Sequence, residues 1–464
     1  MKKVLPSLIL AAITLFFTNC KKLADDQANI YKAPILIAQP LSDAAPLCGA
    51  IKGTMLSGKT YTIGCDVIVN KGDTLFLQPG VHVNVAGKYA IIVKGTFISY
   101  GTQANPNWIT VDGVAKTDQP GVDPSVDPAY AGKWKGLYAD TSCYLMILKW
   151  THLEFAGGAL GSTTSPLIAN TSNTTAFSIL FQNYNGSFVM EDSWIYGGVD
   201  DPIRISNGKI AFFRNTAEKG GLNGGDEFNC KGGTVGTMAY NLFVGGATSG
   251  QKISNKGQPL GAPTANVVMY NSTFVSCGYR QIQTGRGANI NFEEGARGKF
   301  YNNLAVNCKF GYRVVNTPVA DTANLDYGYN FQYGDSLAVT NQFYPVGYIT
   351  KPQITDVPGP SFLPSNYTLG AIYDGTSVIQ SNNPQFSNYP LPVTGGIKLR
   401  DISAVNSFKF TLKPTSPCIG KGYTGLNLAP IKNIAEDPVF GVSYYPVPGV
   451  DIGAFQFNGT GNLH

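Results

Sequence analysis

From residue 67 onward the chain alternates short apolar runs with Gly, Asn and Pro punctuation, and nowhere is helical spacing sustained beyond a couple of turns. Val67-Ile68-Val69, Thr74-Leu75-Phe76-Leu77, Val81-His82-Val83-Asn84-Val85 and Ala90-Ile91-Ile92-Val93 read as strands. Lys71-Gly72-Asp73, Gln78-Pro79-Gly80 and Lys94-Gly95 punctuate them. The pattern predicts many short strands joined by tight turns.

A three-residue phrase recurs through the middle of the chain: Met190-Glu191-Asp192, Phe213-Arg214-Asn215, Ala239-Tyr240-Asn241, Met269-Tyr270-Asn271 and Phe300-Tyr301-Asn302. Its Asx positions lie 23, 26, 30 and 31 residues apart. Such a period without helix signals marks a solenoid of strands, one coil per repeat with loops of variable length. Coils of a parallel β-helix lie about 4.8 Å apart, so equivalent positions pile into columns. The phrase predicts an inward column of Met190, Phe213, Ala239, Met269 and Phe300, filling a core that no single coil can close. It predicts an Asx ladder of Asp192, Asn215, Asn241, Asn271 and Asn302 at a turn, where Asx tolerates left-handed backbone and amides bond from coil to coil. Tyr240, Tyr270 and Tyr301 would stand outward beside it as a platform for sugar rings or as plain surface cover. Cys277 and Cys308, each six residues past its Asn, would stack.

The opening strands, with Trp134-Lys135-Gly136-Leu137, Met146-Ile147-Leu148-Lys149-Trp150 and Leu153-Glu154-Phe155-Ala156-Gly157-Gly158, resemble the first coils of secreted proteins of the pectin-lyase-like superfamily. Leu412-Lys413-Pro414-Thr415-Ser416-Pro417-Cys418-Ile419-Gly420, followed by Asp451-Ile452-Gly453-Ala454-Phe455, resembles the closing segment of many such bacterial proteins. The resemblance covers most of residues 48–460 and implies an all-β, single-stranded right-handed parallel β-helix. That fold carries lyases, hydrolases, isomerases, adhesins and inert shafts, so the likeness implies an architecture more than a reaction. The expected division is a β-helix over 48–316, irregular coils or an insertion over 317–405, and a terminal coil with a C-terminal cap over 406–464.

The N-terminus adds a destination. Met1-Lys2-Lys3 is a basic start, Val4 to Phe17 is largely apolar, and Thr18-Asn19-Cys20 closes the run like a secretory signal. The run falls short of the roughly 20 residues that span a bilayer. Phe17-Thr18-Asn19-Cys20 resembles the lipobox of bacterial lipoproteins, which implies a signal peptide over 1–19, acylation of Cys20 and an outer-membrane anchor in the cell envelope. The alternative is a plain secretory signal followed by an unmodified Cys. Residues 20–47 are polar and rich in Pro and Ala, as befits a flexible tether.

Composition narrows the partners. Charged residues are 14% of the chain, and the net charge of +5 is scattered, so nucleic acid is not an expected partner. The membrane would be met only through the lipid, and a monomer is expected. Assigning Cys20 to the anchor leaves an odd number of the eight cysteines. In an oxidising envelope Cys48 and Cys65 can staple the start of the fold, whereas Cys143, Cys230, Cys277, Cys308 and Cys418 are expected as buried small hydrophobes.

Histidine chemistry has little room, because His82, His152 and His464 lie at no spacing that suits a triad or a zinc site. The richer region is the second strand of each middle coil, where Ile203, Phe228, Ile253, Ile282 and Val314 are expected to form an apolar column with charged neighbours facing out. Gly225-Asp226-Glu227 through Lys231 to Tyr240-Asn241-Leu242-Phe243 is similar to the run of acid, Lys and Asn-x-Phe in pectate and alginate lyases. That likeness implies β-elimination of an acidic polysaccharide. Asp201, Asp226 and Glu227 would hold calcium, Lys231 or Lys252 would remove the C5 proton, and Arg204, Arg280 and Arg286 would hold substrate carboxylates. Two departures stand against it. Lys252 sits where the alginate-lyase pattern has Arg, and the adjacent Asp226 and Glu227 would face opposite sides of a regular strand. A non-catalytic glycan-binding face, a structural or adhesive shaft, and a glycoside hydrolase using Asp201 with Asp226 or Glu227 remain as alternatives.

Overall fold

The computed structural model describes residues 39–464 apart from 118–122, 316–317, 341, 344–352, 358, 360–381, 390, 392–407 and 426–430. The expected signal peptide, Cys20 and most of the tether lie outside the described residues. Twenty-seven strands join in one sheet, all paired in parallel, wound as a right-handed β-helix. Each coil presents three faces. Ile203–Phe213 serves the first and second and Thr216–Glu218 the third; Phe228–Cys230, Thr234–Ala239 and Leu242–Val244 repeat them one coil on. The Cys48–Cys65 disulfide ties the first strand, Leu47–Ala50, to Thr60–Val69, with Cα atoms 5.0 Å apart. The five cysteines expected in the interior are buried and free.

Residues alternate in and out along each strand, and the inward ones stack. On the second face the inner column is Met190, Phe212, Met238, Met269 and Phe300. Phe213 and Ala239, expected there, lie one residue on, in a column with Glu191, Tyr270 and Tyr301 that points away from the core. On the first face the inner column is Ile205, Cys230, Ile253, Phe292 and Val314. Ile203 and Phe228 belong to a neighbouring inward column with Gln251 and Ile290. Ile282, expected in the wall, is 75% exposed in a loop, because the strand of its coil is Ala288–Glu293.

The register slip has one physical cause. Between the second and third faces every middle coil makes a two-residue turn, and Asx suits both of its positions. The first position is left-handed throughout: Trp150, Asp192, Arg214, Tyr240, Asn271, Asn302 and Tyr329 have φ between 47° and 58°. The second carries the side-chain ladder. Ser193 N donates to Asn215 Oδ1 at 3.0 Å, Asn215 N to Asn241 Oδ1 at 3.0 Å, and Asn241 N to Ser272 Oγ at 3.3 Å. Ser272 N then donates to Asn303 Oδ1 at 3.0 Å and Asn303 N to Asn330 Oδ1 at 3.1 Å. Asn215 and Asn241 thus stand in the ladder, while Asp192, Asn271 and Asn302 stand one place earlier, in the left-handed column.

Coils continue past the expected boundary at 316: Leu325–Gly328 pairs with Arg297–Tyr301, and Phe331–Tyr333 with Leu304–Val306. Phe386–Asn388 and Lys409–Leu412 then form an antiparallel pair whose Phe386, Phe410 and Leu412 share a second core with Val306 and Phe331. Residues 431–464 add no coil. They traverse the turn edge three times. Asn433 reaches Val235 and Pro438 reaches Lys149 on the way down. Ser443 meets Glu191, Tyr445 meets Phe213, and Gly449 N donates to Asn271 Oδ1 on the way back. Asn462 then bonds Asn215 and Tyr240, and His464 stacks on Trp194 at 3.6 Å. That last ring crowns a stack in which His152 lies 3.7 Å from Trp108 and 4.0 Å from Trp194.

Asn241 accepts from Asn215 N and donates to Phe212 O at 2.9 Å with no exposed surface. Asn241→Ala is expected to lower unfolding free energy by about 3 kcal/mol in urea titration, because two buried backbone groups lose their partner. Asn241→Ser, copying Ser272, is expected to cost less than half of that.

Candidate functional site

An outward column on the first face runs Ile68, Ile92, Tyr138, Leu180, Arg204, Asn229, Lys252, Asn291 and Arg313. It is apolar through Leu180 and polar from Arg204. The chain from Gly157 to Phe177 covers the apolar half, with Leu160 and Ile168 packed on Ile92, Tyr138 and Leu180. Phe177 ends this cover, its N–H donating to Tyr138 Oη at 3.0 Å and its ring 5.1 Å from the Arg204 guanidinium. The polar half is an open cleft of about 530 Å³, within the range of small-ligand sites.

The cleft gathers Asp201, Asp226, Arg204, Lys231, Lys252 and Arg286 from the residues singled out in the sequence. Asp201 is fully engaged: Oδ1 accepts from Asp226 N at 2.7 Å, and Oδ2 accepts from Arg204 Nη1 at 2.7 Å and Asn229 Nδ2 at 2.9 Å. Asn229 Nδ2 also reaches Asp226 Oδ2 at 3.0 Å. Burial pushes the Asp226 carboxyl up to about 6; Asp201 adds to that rise while Lys252 opposes it.

The two lysines have different fates. Lys252 is 2.6 Å from Glu293 Oε1; burial disfavours its charge, but Asp226 and Glu293 outweigh burial and hold its pKa above the ordinary lysine value. It is therefore a fixed cation. Lys231, 9% exposed, has no hydrogen-bond or ion-pair partner for its amine among the described residues. Burial, then the neighbouring charges of Lys252 and Arg204, pull it down to about 8. An unpaired amine at that value is a base at near-neutral pH.

Several expected site residues lie elsewhere. Glu227 points into the wall behind the cleft, fully buried, where Oε1 accepts from Gly220 N at 2.7 Å. The adjacent Asp226 faces the cleft; both residues precede the strand Phe228–Cys230, so its alternation does not set their directions. Arg280 braces the same wall, its guanidinium donating to Gly221 O at 2.9 Å and Gly220 O at 2.8 Å over the Tyr130 ring. Tyr240, Tyr270 and Tyr301 are at most 5% exposed, and the first two donate to Val447 O and Pro446 O. The C-terminal passes cover the first two and Tyr301 is buried beside Tyr329, so they offer no platform. Asp201 and Asp226 are brought together across Asn229, and Glu227 does not join them. Among the described residues no three His, Cys, Asp or Glu side chains are grouped to hold a metal ion. Calcium takes six to eight oxygens; of the three expected ligands, Asp201 and Asp226 would offer carboxylate oxygens in the cleft and Glu227, buried behind it, would not.

Asn229, Asn291, Glu293 and Arg313 line the cleft without having been singled out. The signal for Asn229 and Asn291 was strand alternation from Arg204, usable only with the register in hand. Arg313 is held by the carbonyls of Gly285 and Gly287, so it fixes the loop that carries Arg286.

At pH 8 an amine-acylating reagent is expected to label Lys231 well ahead of Lys252, read by peptide mass spectrometry, because near its pKa about half of Lys231 is neutral. Burial raises Glu227 from 4.5 to about 8, against the Gly220 N–H and Arg280. Between those values the folded state binds more protons than the unfolded one, so this group makes stability fall as pH rises. Glu227→Gln is expected to flatten the loss of urea midpoint between about pH 5 and pH 8.

Compared with known families and curated proteins, the chain matches no family model and no curated sequence.

Proposed function

We propose that this is an exported lipoprotein of the bacterial cell envelope, anchored through Cys20, whose first-face cleft takes an acidic polysaccharide and cleaves it by β-elimination with Lys231 as the base. The resemblance of Gly225-Asp226-Glu227 through Lys231 to Tyr240-Asn241-Leu242-Phe243 to the corresponding run of pectate and alginate lyases supports the substrate class. The observation that carries the reading is Lys231: a poorly hydrated, unpaired amine beside fixed cations, with a pKa drawn to about 8.

The chemistry follows from the charges. A uronate releases its C5 proton only when its carboxylate is neutralised, and Arg204, Arg286 and Lys252 supply positive charge in the cleft. Bidentate pairing to a carboxylate is what arginine geometry favours, and Arg286 has no ion-pair partner among the described residues. Lys231 takes the proton, the bond from C4 to the bridging oxygen breaks as the C4–C5 double bond forms, and the departing oxygen takes a proton from solvent water in the open cleft. No step needs a metal.

A non-catalytic structural or adhesive shaft is the second reading, favoured by the internal pairing of Arg204 with Asp201 and of Lys252 with Glu293. Incubation of the purified protein with a panel of uronic-acid polymers separates the two, since elimination creates an ultraviolet-absorbing unsaturated sugar. The expected result is product formation that persists in chelator and falls roughly 10²–10⁴-fold in Lys231→Ala. Silence on every polymer would remove the lyase reading and leave the shaft.

A further inference from the structure

We propose that the cleft is a dead-end site, taking the end of a glycan chain or a short oligosaccharide and excluding the interior of a long polymer. This rests on the glycan reading above and adds the part of the substrate that is bound.

The first face is not a continuous track. The cover from Gly157 to Phe177 closes it at Leu180, one coil before Arg204. That cover is pinned to the coils beneath. Ala169 N donates to Asp140 Oδ1 at 2.9 Å, Gln182 Nε2 donates to Ala169 O at 2.7 Å, and Thr164 joins Lys135 and Asp66 in a buried polar cluster. It is a wall built into the fold. At the other end the outward column runs, among the described residues, as far as Arg313, and Val315 and Pro318 line the cleft beside it. There the next coil stacks on the corner after Ala288–Glu293, with Glu294 N donating to Pro318 O at 3.2 Å and Gly295 N to Val319 O at 2.7 Å, and continues the side of the cleft.

The sides are walled as well. The loop 281–286 stands along one side, hung on the neighbouring coils by Gln281 N to Ala247 O at 3.0 Å and Ile282 N to Asn223 O at 3.3 Å. Lys256 and Glu294 stand on the other. The open stretch from Arg204 to Arg313 crosses four coil spacings, about 19 Å. A polymer laid along the axis would run into the cover at Phe177, whereas a chain end can abut it.

Products and viscosity test this together. Acting on a long uronic-acid polymer, the protein is expected to release short unsaturated products from the first minutes while viscosity falls slowly. In calorimetric titration, affinity for oligosaccharides is expected to stop rising at short length, and a long polymer tethered at both ends is expected to bind weakly. Phe177→Ala, and separately replacement of residues 161–175 by a short Gly-Ser link, are expected to shift the products toward longer fragments. Rapid viscosity loss with long fragments appearing first, or affinity that keeps rising with length, would overturn the dead end and leave the lyase intact. Absence of both product and oligosaccharide binding in the wild-type protein would overturn the glycan reading itself.

Discussion

Everything in this molecule depends on parallel coil-on-coil register, and the register is set at one turn. The two-residue corner between the second and third faces combines a left-handed residue with a side chain that caps the backbone N–H of the coil before it. The corner keeps its length from Asp192-Ser193 to Tyr329-Asn330, so those two faces cannot drift relative to one another. All variation in coil length is displaced to the corners flanking the first face. Loops of different height can rise only there, and that is where the cleft has its walls.

Within the cleft, burial and charge sort chemically similar groups into different roles. Asp201 spends its oxygens on Asp226, Arg204 and Asn229, which fixes the acidic end of the floor. Lys252 is neutralised in place by Glu293, and its charge then weighs on Lys231. The inequality between two lysines one coil apart follows from the carboxylates of Asp226 and Glu293 that hold Lys252 charged. Glu227 and Arg280 serve the same site from behind, by clamping Gly220 and Gly221 at the wall.

The fold was legible because columns leave a period in the chain, and the Asx phrase reported that period without its phase. Asn271 and Asn302 occupy the left-handed position, Asn215 and Asn241 the ladder, and nothing in the local sequence separates the two. The slip carried Phe213 and Ala239 to the wrong side of the strand. The site was legible where charge broke an apolar column, at Arg204, Lys231 and Lys252. It was illegible where the answer depended on distant chain. The tyrosines read as outward and are outward with respect to the coil, but residues more than 170 positions away cover Tyr240 and Tyr270, as the bond from Tyr270 to Pro446 shows. Ile282 was misplaced because a long loop postpones its strand to Ala288.

The triple pass of residues 431–464 changes how such a solenoid holds together. Stacked repeats ordinarily behave as a one-dimensional chain in which each unit feels only its neighbours. Here Lys149 is fastened to Pro438 across 289 positions of sequence, and Trp194 to the final residue. Residues 431–464, made after every coil they touch, are therefore the clasp for all of them. Without that segment the turn edge would be an uncovered row of Phe213, Tyr240 and Tyr270, so closure of the surface waits on chain that follows the coils.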